Sequence, residues 1–531
     1  MRGQLDRKWG LRAIAVSTVA LAGCAGREVC LPDGHLPSAT FVRDQLTSTA
    51  VTQGQAQPPN AKPGEAGPGP SQGPFDLPKG IFGANSDPLA PPSFNKDVAQ
   101  ADRLKAVQAL YPQLDAVGET SVVKSVDAQA GLTLSALQEI ATANSPVLVR
   151  ATADAAQSYG QVIQVGLYPN PTIGYQSDQI QPRLTIPPGA TSSGAGQQGG
   201  YINQLIKTAG KLSLAQKVSG FDYINALVAV RRAQVDVSTN VRSQFFAALV
   251  AQQSVEVNRA LAQLADEVYR IQLKQVAAGE AAGYEPLQLY AQAELARNAL
   301  IQAENSYQAA WKQLAAAVGQ PQLPISPLVG RADAAAPMFD RPTLEAALLE
   351  QHTDVLTAKN SIAQAQVNLK LQKRVLIPDI ESNTYHQYDN LAQTYQFGLQ
   401  FGIQIPISDR NQGNIRSAES QISRSIANLS ATQNDLTARL AEAFARYSAN
   451  RAVAERYREK IVPSLTRAYR ALVKRYQVEP EKIGFSDIVV AQQNLATALQ
   501  AYLTALGAQW QAVVDVANIS QLDELYPEAN K

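Results

Sequence analysis

Between Tyr395 and Ile405 the chain reads Tyr-Gln-Phe-Gly-Leu-Gln-Phe-Gly-Ile-Gln-Ile, with every odd position apolar or aromatic and every even one Gln or Gly. Strand side chains point alternately to opposite faces, so this segment makes a ribbon with one apolar face and one polar or empty face. Its length matches the roughly 9–11 residues with which a tilted strand crosses a bilayer. A half-buried strand over a soluble core alternates in the same way, and the segment alone leaves both readings open. On the membrane reading Tyr395, Phe397, Leu399, Phe401, Ile403 and Ile405 face lipid, and the Gln and Gly face lines a wet lumen.

The surroundings favour the membrane reading. From Leu132 onward the texture is helical and rich in Ala and Gln. Ile422, Ile426, Leu429, Gln433, Leu436, Leu440, Ala443 and Tyr447 step by alternating four and three, and Val257, Leu261, Leu264, Val268 and Ile271 do the same. That stepping keeps one seam against a neighbouring helix in a left-handed supercoil. Each such pattern runs for about 65 residues, a rod of roughly 100 Å at 1.5 Å per residue. Pro463 lies inside the second rod and should bend it.

The chain is also a duplication. Leu167-Tyr168-Pro169-Asn170 recurs as Leu376-Ile377-Pro378-Asp379, Gly210 before one rod matches Gly413 before the other, and Trp311 matches Trp510. Each copy predicts a short helix, a medium helix, two strands, a long helix, a turn and a final helix. The ranges are 133–144, 146–167, 171–180, 200–208, 211–278 and 284–318, then 343–351, 354–376, 379–388, 394–406, 413–477 and 486–518. The medium and final helices together nearly equal one long helix. The lengths therefore predict continuous rods alternating with split ones, the splits meeting at a belt built from the short helices and the 319–342 linker.

Four strands cannot close a barrel, and an open sheet edge in lipid leaves backbone groups unpaired. Closure has to come from several copies of the chain, and three would supply 12 strands. Residues 181–200 read as an outer loop and Tyr388-Asp389-Asn390 as a tighter turn.

The start of the chain reads as an export signal. A basic opening (Arg2, Arg7, Lys8, Arg12) precedes an apolar stretch, Ala13 to Ala22, too short to span. Leu21-Ala22-Gly23-Cys24 is similar to the bacterial lipoprotein processing box, which implies cleavage before Cys24 and its acylation. Residues 51–92 are dense in Pro, Gly, Gln and Ala and read as a tether. The expected division is signal peptide 1–23, acylated segment with tether 24–131, first repeat 132–318, equatorial linker 319–342, second repeat 343–522 and tail 523–531.

Composition excludes several functions. The net charge of +1 gives no basic excess for nucleic acid. The three histidines, His35, His352 and His386, are scattered, and the two cysteines lie together near the start. A zinc site or a catalytic triad has little to build on, so no cofactor, no metal and no enzyme activity are expected. His386, on a barrel strand, reads as a pore-mouth or girdle residue.

Several motifs taken in order resemble the TolC-type outer-membrane efflux factors, in their CzcC and CusC lipoprotein branch. These are Asn144-Ser145-Pro146, Leu167-Tyr168-Pro169-Asn170-Pro171, Thr208-Ala209-Gly210-Lys211, and Pro406-Ile407-Ser408-Asp409-Arg410-Asn411-Gln412-Gly413. The likeness runs from about Leu132 to Leu522. It implies an α+β membrane protein: a homotrimer with a 12-stranded β-barrel in outer-membrane lipid, four strands from each chain, above a long α-helical coiled-coil barrel. The implied role is a passive conduit whose lower tip docks a periplasmic adaptor (a membrane fusion protein) coupled to an inner-membrane pump.

The same resemblance makes Gly279–Gly283 and Val478–Gly484 the tip turns that meet the adaptor, marked by Gly279, Gly283 and Gly484. It puts Tyr476 and Asp487 at the pore constriction, whereas the family's second Asp is Val490 here. Alternatives stand beside these roles. Asp487 or Ser486 could cap the final helix, and Tyr476 could be a seam aromatic between helices. For the whole chain the alternatives are a periplasmic coiled-coil scaffold lipoprotein without a pore, or the outer-membrane part of a type I protein secretion system.

Overall fold

The long heptad patterns become helices of matching length, and their order sets the rest of the architecture. The computed structural model describes residues 99–117, 131–180, 195–390, 392–478 and 484–525, all within the unit Pro88–Lys531. The signal sequence, Cys24, Cys30, the 51–92 tether and the tail beyond 525 lie outside the described residues. In chain order the elements are α1 (Gln100–Leu110), α2 (Leu134–Asn144), α3 (Pro146–Gly166), β1 (Thr172–Ile180), β2 (Ala195–Ile206), α4 (Lys211–Ala278) and α5 (Glu285–Ala317). The second half continues with α6 (Arg341–Gln351), α7 (Thr353–Val375), β3 (Ile380–Asp389), β4 (Thr394–Ile403), α8 (Gln412–Arg456), a π turn (Tyr457–Ile461), α9 (Val462–Val478) and α10 (Phe485–Ile519).

Continuous rods do alternate with split ones. The 68 residues of α4 are flanked by α3 and α5, of 21 and 33 residues, on one side. On the other side α4 meets α7 and α10, which in turn pack against α8. Helix starts follow local chemistry. The Thr133 side chain accepts the Ala136 N–H at 3.2 Å, Pro146 and Pro342 sit in first turns that need no donor, and Asp340 accepts the Thr343 N–H at 3.3 Å. The second rod is interrupted where Pro463 demands it. Proline cannot donate to the preceding turn and its ring crowds the carbonyl four residues back, so the helix widens into the π turn just ahead of it.

The splits meet at the predicted belt. Leu132 pairs with Leu328 in a parallel bridge, and the two matched tryptophans play the same part in each repeat. Trp311 and Trp510 are both fully buried, and each indole N–H donates to a linker carbonyl, Leu323 O at 3.2 Å and Ala332 O at 2.7 Å. Phe246 of α4 stacks on Trp510 at 4.0 Å with the rings 5° from parallel. Tyr447 donates to Pro337 O at 2.5 Å, and the buried Arg242 donates to the carbonyls of Leu522 and Asp523. The two indole N–H groups, the Tyr447 hydroxyl and both terminal nitrogens of Arg242 are thereby paired, while Arg242 Nε is left without a partner.

Three boundaries differ from expectation. β2 begins at Ala195, not at 200, because β1 supplies a partner as far as Ile180↔Ala195. Glycine favours strands weakly, which is why Gly196, Gly199 and Gly200 read as loop. Both Gly196 and Gly199 are required by contact: a Cβ on either would lie 2.0 Å from a backbone oxygen of the neighbouring strand. β4 ends at Ile403, opposite Ile380, so Ile405 follows the strand instead of lying in it. Beyond that point Pro378 has no N–H to offer and Asp379 is engaged elsewhere. Finally, Gly413 lies inside α8, and the residue equivalent to Gly210 is Asn411. Both have left-handed backbone, at φ 68° and 56°. Asn411 sustains it by accepting no glycine's freedom but by side-chain bonds, its amide donating to Gln372 O at 2.8 Å.

Candidate functional site: barrel strands and tip turns

The four strands form one antiparallel sheet in the order β1-β2-β3-β4, so β1 and β4 are both unpaired edges. The register sorts the side chains. Ile380, Ser382, Thr384, His386 and Tyr388 lie opposite Ile403, Phe401, Leu399, Phe397 and Tyr395, and on the same face Ile173 lies opposite Ile202. Tyr395, Phe397, Leu399, Phe401, Ile403 and Ile405 are all exposed, at 55–71%. No described core covers this face. At its outer end His386 and Tyr388 pack on Tyr395, with centroids 5.2 and 5.0 Å apart, the aromatic cluster expected where a barrel meets headgroups.

The other face is polar and layered. Asp178, Gln197, Asp389 and Thr394 form its outermost row, joined by bonds from Gln197 and Gln396 to Asp389 at 3.2 and 3.1 Å. Below come Gln176, Gly199, Gln387 and Gln396, and then Gly174, Tyr201, Tyr385 and Gly398. In that third row each tyrosine ring lies on the glycine beside it, so close that a Cβ on Gly398 would fall 2.0 Å from the Tyr385 ring. Asn203, Asn383 and Gln400 form the next row, and Glu381 stands opposite Gly402 beneath it. None of the four strands contains Lys or Arg.

Sequence reasoning did not find the junction that joins sheet to rods. Asp379, one residue before β3, receives Lys207 Nζ and Lys211 Nζ, each at 2.8 Å, and the Thr208 N–H at 3.0 Å. Burial works to raise the Asp379 pKa, but those hydrogen bonds and the adjacent cations outweigh it and hold it down at about 2. The repeat comparison carried the signal: Asp379 replaces Asn170 of the first copy, a change from neutral to charged beside two lysines.

At the far ends of the rods, Gly279 terminates α4 in left-handed geometry at φ 80°, with Gly279 N–H donating to Val276 O and Glu280 N–H to Gln275 O. Gly283 is buried, and its carbonyl accepts the Tyr111 hydroxyl at 2.7 Å. Gly484 is exposed, extended, and stands at the start of α10. Most of the second turn, 479–483, lies outside the described residues.

Tyr476 is buried with Tyr469, Ile488 and Leu495, against Leu264 and Ile271 of α4. Burial raises its phenol pKa, and its side chain hydrogen-bonds that of Gln275. The seam packing weighed for Tyr476 is therefore present. Asp487 is exposed in the first turn of α10, whose N-cap position is Gly484. The structure brings Tyr476 and Asp487 to one end of the rods and leaves the barrel residues at the other.

Long helical rods joined to a four-stranded sheet with an exposed apolar face define the fold class. The family model for outer membrane efflux protein matches residues 344–520. It is 24% identical over 427 residues to the cobalt-zinc-cadmium resistance protein CzcC of Cupriavidus metallidurans, covering 80% of this chain and 95% of that protein. Its fold is similar to crystal structures of CusC, with a TM-score of 0.60 at 16% identity over 77% of this chain and 98% of the other. It is likewise similar to the outer membrane protein VceC of Vibrio cholerae, with a TM-score of 0.59 at 18% identity over 73% and 95%. These likenesses show that the chain shares the fold of those outer-membrane channel proteins.

Proposed function

We propose that three copies of this chain close a 12-stranded barrel and form a passive conduit from periplasm to exterior. The observation that carries the reading is the open sheet, whose edge strands β1 and β4 and apolar face are left uncovered among the described residues. Unpaired backbone is prohibitive in hydrocarbon, so β1 of one copy must pair with β4 of the next. The helices agree with this. Val149, Ile163, Leu295 and Ile301 are exposed along α3 and α5, and Ile426 is exposed on α8, at the two flanks of the layer that the chain leaves open.

In this reading the tip docks an adaptor that couples the conduit to an inner-membrane pump, and acylation of Cys24 anchors the chain in the outer membrane. Gly279, Gly283 and Gly484 mark the docking turns. Asp487, three times around an axis, makes a carboxylate ring at the constriction. Tyr476 holds the ring's helices shut through its packing and its bond to Gln275.

Detergent extraction, intact-mass measurement and planar-bilayer recording test the whole. A trimer of acylated chains that conducts, and that conducts more in Tyr476→Phe and with altered ion preference in Asp487→Asn, is the expected result. A monomer without current would overturn the conduit and leave the scaffold reading. Unmodified Cys24 in a conducting trimer would remove only the anchor.

A further inference from the structure

The first tip turn is already occupied. Helix α1 and the residues after it lie on the lower ends of α4 and α5, with Val107 and Tyr111 buried among Val268, Tyr269, Leu273, Val276, Ala277 and Leu289. Leu104, Val107, Tyr111 and Leu114 supply the contact, spaced three, four and three apart. Leu104 and Val107 contribute from one face of α1, and Tyr111 and Leu114 from the non-helical residues that follow it. Polar bonds complete the seat: Tyr111 donates to Gly283 O at 2.7 Å, Tyr269 to Pro112 O at 2.6 Å, and Arg297 to Asp115 O at 2.6 Å. The carbonyl of Gly283 and the apolar flank of the α4–α5 pair are therefore covered by the chain's own amino-terminal segment.

The cover is weakly built. It has 11 helical residues, fewer than an isolated helix needs to persist. Ala99 at its start offers no side-chain cap, and the helix carries no basic residue in its last turn. Val107 is the one buried residue within it, and its polar bonds all come from residues beyond its end.

We propose that residues 100–115 are a displaceable cover on the first tip turn, seated in a groove that takes the apolar face of one α-helix. The partner it fits is the helical end of the adaptor assigned above, a step that rests on that reading. The two tip turns of each chain are then inequivalent: the turn before Gly484 is met first, and the turn at Gly283 only after α1 yields its place.

Hydrogen exchange on the full-length protein in detergent tests displaceability without any substitution. The amides of 100–111 should exchange at least about tenfold faster than those of 268–277 on α4. Equal protection would mean a fixed strap and overturn the proposal. A fluorescent peptide of residues 99–117 tests the groove. It should bind the Val107→Asp protein about tenfold or more tightly than the unaltered protein, whose own α1 competes at the high local concentration of a tethered segment. Equal binding by both proteins, or binding by neither, would sink the proposal. Should Val107→Asp lose the trimer, Tyr111→Phe serves instead, and removal of its bond to Gly283 should speed exchange in 100–111 alone. Trimer mass and bilayer current in the same samples keep the two readings apart, since a conducting trimer with a fixed α1 discards only the cover.

Discussion

Asp379 and His352 are among the titrating residues that tie the fold to pH, and both lie outside the strands. Asp379 has its carboxyl held down at about 2 by Lys207, Lys211 and the Thr208 N–H. A carboxylate with a depressed native pKa stabilises the fold above its unfolded value near 4, and that contribution disappears as pH falls toward the native value. Asp379→Asn should therefore cost about 2 kcal/mol at neutral pH, read as a lower unfolding temperature, and the gap from the unaltered protein should close between about pH 4 and pH 2. His352 behaves differently. Burial lowers its pKa, nearby Arg232 and Arg439 add to that, and Asp354 opposes it. Its Nδ1 accepts the Asp354 N–H at 3.1 Å and so caps α7, a bond that needs the neutral ring. The stabilisation is present above about pH 6.5, the unfolded value, and is lost as pH falls toward the lower native one. His352→Asn should keep the cap and flatten the dependence of unfolding temperature on pH below about 6.5.

At the scale of elements, the strands carry glycines of two kinds, and they should fail differently. Gly398 and Gly174 leave room for the rings of Tyr385 and Tyr201, which are free to swing. Gly398→Ala should push Tyr385 into the lumen, lowering single-channel conductance while the trimer survives. Gly199 faces backbone instead, with His386 O at 2.0 Å from a built Cβ. Gly199→Ala must separate β2 from β3 and should cost about 1–3 kcal/mol as an overpacking substitution, visible as trimers that dissociate at lower temperature in detergent. If both variants gave intact trimers with unchanged conductance, the assignment of this face to a tightly packed lumen would be wrong. The helices were the most legible elements, because heptad spacing runs long enough in α4 and α8 to leave no alternative period. The strand ends were less so: glycine hides β2 from a reading by propensity, and only the partner strand shows where β4 stops.

For the whole molecule, the distribution of charge along the proposed path has a measurable consequence. Asp178, Glu381 and Asp389 lie on the polar face of the sheet, and the four strands contain no Lys or Arg. A lumen lined this way concentrates cations. Reversal potentials in a salt gradient should show the channel favouring potassium over chloride, and the combined Asp178→Asn, Glu381→Gln, Asp389→Asn protein should lose about severalfold of that preference. Selectivity unchanged by the triple substitution would place its origin elsewhere, with the Asp487 ring the next position to neutralise.

The sequence by itself determined the duplicated plan, the rods and the apolar face of Tyr395 to Ile403. These are local or periodic properties, and spacing along the chain is enough to express them. Tertiary structure alone decided that Asp379 locks the sheet to the rods, that Asn411 takes the left-handed position, that Tyr476 packs against α4, and that α1 lies on the first tip turn. Each of those joins residues distant in sequence, and the apolar stripe of α1 is too short to announce its partner. Which surface a short apolar stripe covers is settled only when the surface exists.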